Sequence, residues 1–220
     1  MYKYVLEKRV KTEDLHDMNK ISETLNDITK YSSNMHEIHT LLAILFAIPD
    51  GEAHFRCNHN ILFVQHMYPD SYQLKVQADI AINKEVVAKK GFDIVSETNI
   101  ESSDIGNEIK FNIIVSPYKG REGESNHIRY FIRDAKERLD WLTNKLTHNG
   151  ECSNLRLVEK GNYVTLLDKH RGNEKQTTLY GREYSGSCNV EDKNKFFRLV
   201  QKGIGPCKNY GFGLLDVEGI

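Results

Sequence analysis

The apolar pattern of this 220-residue chain predicts an α+β protein built of two tandem ferredoxin-like (RRM-like) domains. Three observations carry that expectation. Each half opens on a short strand pattern, residues 2–9 in the first and 109–115 in the second. Each half has one amphipathic helix, over 34–46 and over 133–148. In each half, strand patterns follow that helix, so both read approximately as strand, helix, strand, strand. The expected domains are 1–100 and 108–220.

Residues 2–9, YKYVLEKR, alternate apolar and polar side chains as a half-buried strand does. A polar stretch from Lys11 to Ser33 follows, with weak helical periodicity. The next segment, NMHEIHTLLAILF, puts Ile38, Leu41, Leu42, Leu45 and Phe46 on one stripe. Asn34 and Glu37 have the spacing of a capping box, and the Pro49-Asp50-Gly51 turn ends the helix. Short strands are expected at 53–58 and 61–66, with Asn60 at the turn, and another at 73–82. Lys89-Lys90-Gly91 breaks the pattern. The acidic, Ser-rich SETNIESSDIGNE reads as a linker.

In the second half, IKFNIIV reads as a strand stopped by Pro117, and 127–132 as another. The helix RDAKERLDWLTNKLTH sets Ala135, Leu139, Leu142 and Leu146 on one face, and Asn149-Gly150 closes it. A β-hairpin follows, YVTLLDK and KQTTLYGREYSG joined through HRGNE. A last helix near 191–202 leads through a Gly-rich turn into a final strand.

Composition narrows the function. Hydrophobic residues make up 39% and charged residues 28%, enough for a packed core. No apolar run is long enough for a membrane helix, and MYKYVLEKRV has charges where a signal peptide needs apolar residues. The expected location is the cytoplasm. Formal net charge is −1, so a nucleic-acid site would need local clustering of Lys and Arg. Cys57, Cys152, Cys188 and Cys207 include no C-x-x-C pair. His54, Cys57 and His59 make a poor metal set, and reduced thiols with no bound metal or cofactor are expected.

The most specific feature is the segment GIGPCKNYGFGLL, residues 203–215. It resembles the Gly-rich signature that closes the CasE family, the repeat-cleaving subunit of the type I-E Cascade complex. YKYVLEKR, HEIHTLLAILF and the pair FNIIVSPYK and AKERLDWLTNKL match that family in the same order. The resemblance implies two ferredoxin-like domains that grip the RNA hairpin of a CRISPR repeat. It implies cleavage at the 3′ base of the stem without metal, retention of the product, and assembly with the other Cascade subunits.

RNA is cut by its own 2′-hydroxyl when one group removes that proton, another protonates the leaving 5′-oxygen, and positive charge faces the phosphate. By matching the helix motif, His39 takes the catalytic position; histidine titrates in the range this chemistry needs. His39 follows Ile38, near the solvent border of the helix. His36 shares its edge. Relatives often have tyrosine there, so His36 either positions the phosphate or 2′-hydroxyl, shares the proton transfer, or is a solvent-facing neighbour.

Lys169, His170, Arg171 and Lys175 crowd the hairpin turn, and Arg182 follows on the second strand. Such a tip either lies along an RNA groove or is a solvated turn; the resemblance favours RNA. Gly203, Gly205, Gly211 and Gly213 permit close backbone approach, flanked by Lys202 and Lys208. No Gly-Lys-Ser/Thr follows, which disfavours nucleotide hydrolysis. The glycines serve helix–strand packing, RNA contact, or both. Lys119, Arg121, Arg129 and Arg133 form a weaker basic group. Two other functions compete with an endoribonuclease: a non-catalytic RNA-hairpin-binding subunit, and a protein-interaction module.

Overall fold

The structure, a computed structural model, describes residues 1–33, 35–68, 70–120, 129–148, 151–169 and 176–220, with backbone alone for 32–33, 129, 161–169 and 176–178. It contains two compact units, one built on residues 1–99 with 167–169 and 176–178, the other on 100–166 and 179–220.

In the first unit, β1 (Tyr2–Arg9) leads to α1 (Met18–Ser33), α2 (Met35–Leu45) and a one-turn helix α3 (Phe55–Asn58). Then come β2 (Leu62–Met67), β3 (Ser71–Ala78), α4 (Lys84–Lys89) and β4 (Asp93–Asn99). The strands order as β2-β3-β1-β4, all antiparallel. This is the ferredoxin-like order, with the first and third strands in the middle of the sheet.

Strand alternation explains which face carries helices. Tyr4 opposes Val76 and Leu6 opposes Leu74, and all four are buried. Tyr31 of α1 packs on Tyr72 and on Phe92 of the α4–β4 turn, with ring centroids 6.3 and 6.0 Å apart. The α2 stripe read from the sequence, Ile38 to Phe46, is buried throughout. Lys8 joins this face at 6% exposure. Its ammonium meets Asp27 of α1 at 2.6 Å and the Lys90 carbonyl at 2.8 Å, 5.6 Å over the Phe92 ring. These contacts replace the water a buried charge gives up.

Three sequence expectations change here. Residues 53–58 form a turn and α3, not a strand. Glu52 accepts from Asn58 Nδ2 at 3.0 Å and lies 3.1 Å from His59 Nε2, rolling the segment back on itself, with His54 left-handed at φ 59°. The expected linker begins inside β4, which pairs with β1 as an edge strand and is largely exposed. Its polar composition reflects that exposure. The stretch 11–33 contains a sixteen-residue helix, α1, whose polarity follows from burying little beyond Ile28 and Tyr31.

The second unit runs β5 (Glu108–Val115), β6 (Tyr118–Gly120), β7 (Arg129–Phe131), α5 (Ala135–Thr147), β8 (Cys152–Lys169), β9 (Gln176–Val190), α6 (Lys193–Lys202) and β10 (Leu215–Val217). Its main sheet orders as β10-β5-β9-β8, again ferredoxin-like. A separate ribbon, β6 with β7, pairs Tyr118 with Phe131. Asp134 and Asp192 cap α5 and α6, accepting from Glu137 N at 2.8 Å and Lys195 N at 3.0 Å.

The buried stripe of α5 is Arg138, Leu142 and Leu146, whereas Ala135 is exposed. The reason is chemical: Arg138 is 4% exposed because Glu159 of β8 receives its guanidinium. The sites of the expected Asn34 cap and Asn149-Gly150 stop lie outside the described residues. Glu37 Oε2 sits 3.0 Å from Lys30 Nζ, which ties α1 to α2. No described helix is long and apolar enough to cross a membrane.

Candidate functional site

The first unit presents the two histidines on α2. His36 is exposed and His39 half-buried. A separation of three residues puts their side chains roughly 60° apart around the helix axis. Thr40 Oγ1 donates to the His36 carbonyl at 3.0 Å, inside the same turn. Buried Ile38 and Leu42 anchor the helix on either side of His39, so the imidazole stands on a rigid element at the border of the core.

His54 and Cys57 belong to the α3 turn, and His59 is engaged by Glu52. Among the described residues no group of three or more His, Cys, Asp or Glu side chains is placed to share a metal.

The remaining candidates lie in the second half of the sequence, on β8, β9, α6 and the segment after it. Lys169 ends β8, with its backbone alone described. His170, Arg171 and Lys175 lie outside the described residues, as does Arg121. Arg182 sits on β9 in a charged network. Its Nε is 3.1 Å from Glu159 Oε1, which also receives Arg138 Nη2 at 2.8 Å. Tyr184 donates its hydroxyl to Glu159 Oε2 at 2.9 Å. Burial by itself raises the Glu159 carboxyl, but the Arg138 and Tyr184 hydrogen bonds and both guanidinium charges hold it below its ordinary value. Burial, then the bond to Glu159, pushes Tyr184 up to about 12.

The Gly-rich segment folds between α6 and β5. Gly203, at φ 66°, ends α6 by donating to Leu199 O at 2.9 Å. Ile204 N donates to Gly213 O at 2.8 Å, and Gly213 N to Ile114 O at 2.7 Å. A Cβ on Gly205 would lie 2.8 Å from Trp141, and one on Gly213 2.4 Å from the Ile204 carbonyl. Both glycines also have positive φ, so no other residue fits without strain. Lys208 Nζ donates to the Lys202 carbonyl at 2.7 Å, capping the end of α6, while Lys202 itself is exposed. Packing is thus a demonstrated duty of these glycines.

Sequence reasoning missed the Arg138–Glu159 pair and the aromatic wall of the β6–β7 ribbon. The second left a signal: aromatic and basic residues interleave in YKG and RYFIR, residues 118–120 and 129–133. The first left none, because an arginine in an amphipathic helix reads as solvated.

A profile of the CRISPR associated protein family matches residues 10–218, nearly the whole chain. The chain belongs to the CRISPR associated protein family. No curated protein sequence matches it. Solved structures share the fold at low identity. CRISPR endoribonuclease Cse3 bound to a 19-nucleotide RNA is 15% identical with a TM-score of 0.69, over 97% of this chain and 99% of that one. Cas6e from Escherichia coli K-12 is 16% identical with a TM-score of 0.61, over 99% and 98%. A chain of a CRISPR RNA-guided surveillance complex is 16% identical with a TM-score of 0.60, over 99% of each. These likenesses place both units of this CRISPR-associated protein in the tandem ferredoxin-like architecture.

Proposed function

We propose that this protein is an endoribonuclease that binds the hairpin of a CRISPR repeat and cuts the precursor RNA. The observation that carries this reading is the family match over 10–218, joined to an end-to-end fold likeness with Cse3, an endoribonuclease seen bound to RNA. Residues 1–100 and 108–220 act as its two domains. The first carries the catalytic helix α2, and the second carries the hairpin and the Gly-rich loop. The likeness to a surveillance-complex chain supports retention of the product inside Cascade, in the cytoplasm.

The chemistry needs no metal. The 2′-oxygen attacks the adjacent phosphorus as its proton leaves to a base. The bond from phosphorus to the 5′-oxygen breaks, and that oxygen takes up a proton. A 2′,3′-cyclic phosphate and a 5′-hydroxyl result. His39 performs one of these proton transfers, and His36, on the same edge of α2, positions the phosphate or shares the transfer. Lys169, His170, Arg171 and Lys175 with Lys202 supply backbone charge from the second domain. The packed backbone of Gly203 and Gly205 lets the stem approach closely, with Lys208 beside it.

Incubating the protein with labelled repeat RNA, with and without a chelator, tests this reading. A product ending in cyclic phosphate in both lanes is expected. A product with a 3′-hydroxyl and 5′-phosphate, or none, rejects it. His36, where the resembled family often has a tyrosine, leaves one alternative open, a non-catalytic hairpin-binding subunit, which would bind the RNA and leave it whole.

A further inference from the structure

The second unit contains a groove of about 880 Å³ that no part of the proposed cleavage uses. Its floor is aromatic. Phe131 of β7 sits between Tyr118 of β6, at 5.9 Å between centroids, and Tyr180 of β9, at 5.6 Å. Tyr130 and Tyr180, from different strands, line the groove and remain 40% and 37% exposed. Arg182 lies over the Phe131 ring at 5.9 Å, and exposed Arg133 stands on the rim.

The acids around the groove are already committed. Asp134 caps α5, Glu137 pairs with Lys119 at 2.5 Å, and Glu159 is held by Arg138, Arg182 and Tyr184. What the groove offers a visitor is therefore flat π surface with guanidinium charge at its edge. That combination suits a nucleobase with its phosphate: rings stack on the base and the cation meets the phosphate.

Position agrees. Gly181, next to Tyr180, lies so close to the Gly-rich segment that a Cβ there would be 2.3 Å from the Phe212 ring. The groove thus adjoins the Gly-rich segment within the same unit.

We propose that the groove walled by Tyr118, Tyr130, Phe131 and Tyr180 and rimmed by Arg133 and Arg182 binds an unpaired nucleotide flanking the repeat stem. The inference rests on the RNA-binding reading above and adds a second, single-strand subsite to it.

The test measures affinity of the full protein at one fixed salt for two RNAs, a blunt repeat stem-loop and the same stem-loop with its single-stranded flanks. Both carry 2′-deoxy nucleotides at the stem base to block cleavage. The flanks should tighten binding about tenfold, as expected for one stacked base. Tyr130→Ala/Tyr180→Ala should erase that gain while binding the blunt stem-loop as the parent does. Tyr130→Phe/Tyr180→Phe should keep it, and a 2-aminopurine in the flank should be quenched by the parent and the Phe pair alone. Binding of the blunt stem-loop with no gain from flanks overturns the inference and spares the function. A gain that survives in the Ala pair, or Ala and Phe pairs that behave alike, also overturns it. Failure to bind either stem-loop overturns the function and the inference together.

Discussion

Arg138 meets both carboxylate oxygens of Glu159, with Nε 3.1 Å from Oε2 and Nη2 2.8 Å from Oε1. The pair joins α5 to β8, and Arg182 and Tyr184 of β9 complete it. Arg138 also donates to the carbonyls of Ile132 and Arg133, so one side chain fixes the entry to α5 and the helix to the sheet. Arg138→Ala should destabilise the protein by about 3 kcal/mol, because it removes a buried guanidinium bound to Glu159 and to two carbonyls and leaves the part-buried carboxylate with Arg182 and Tyr184 alone. Urea unfolding followed by circular dichroism reads this, and a loss under about 1 kcal/mol would show the pair to be superficial.

The same network sets a pH dependence. Glu159 has a folded-state pKa below its unfolded value, so the unfolded chain binds more protons as pH falls below the ordinary carboxylate range. Its contribution is complete above that range and is lost as pH falls through the depressed value. Tyr184 acts oppositely: raised to about 12, it adds stability that is complete below the ordinary tyrosine value near 10 and fades as pH rises toward 12. Denaturation midpoints taken from pH 3 to 6 should rise more steeply for the parent than for Glu159→Gln. Equal slopes would contradict the assignment.

His39→Ala should slow single-turnover cleavage by roughly two to four orders of magnitude while repeat affinity changes little. His36→Ala should cost less, and the double variant less than the two effects combined. Parent-like cleavage by His39→Ala with a dead His36→Ala would move the catalytic role one turn back along α2.

Replacing Lys169, Arg171 and Lys175 by Glu should weaken repeat binding and flatten its salt dependence. Each lost phosphate contact should take roughly 0.7 to 0.9 from the log–log slope. An unchanged slope would make the hairpin a plain turn.

Much of the fold was legible because burial wrote it into the spacing. β1 alternates, and the Ile38–Phe46 stripe of α2 is buried at every position read as apolar. Elements with little to bury were hidden. α1 is mostly exposed and β4 is an edge, so neither carries a clear period. The 53–58 segment was misjudged because its shape depends on Glu52 reaching Asn58 and His59, a local capture that hydrophobic patterning does not record. The assignment of His39 and of the glycines to a site rests on family resemblance. Periodicity alone sets His39 at a helix border, where a histidine is commonly ornamental. The aromatic groove needed the β6–β7 ribbon to bring Tyr118 beside Phe131.

From Asp93 to Ile109 the chain carries five carboxylates, Asp93, Glu97, Glu101, Asp104 and Glu108, and no lysine or arginine. Two of them are answered from elsewhere in the first unit, Asp93 by Lys11 at 3.4 Å and Glu97 by Lys84 at 2.6 Å. Without this segment the formal charge of −1 becomes +4, so the near-neutral average conceals an uneven distribution of charge along the sequence. Carboxylates and answering lysines along the exposed edge strand β4 discourage edge-to-edge pairing with other chains.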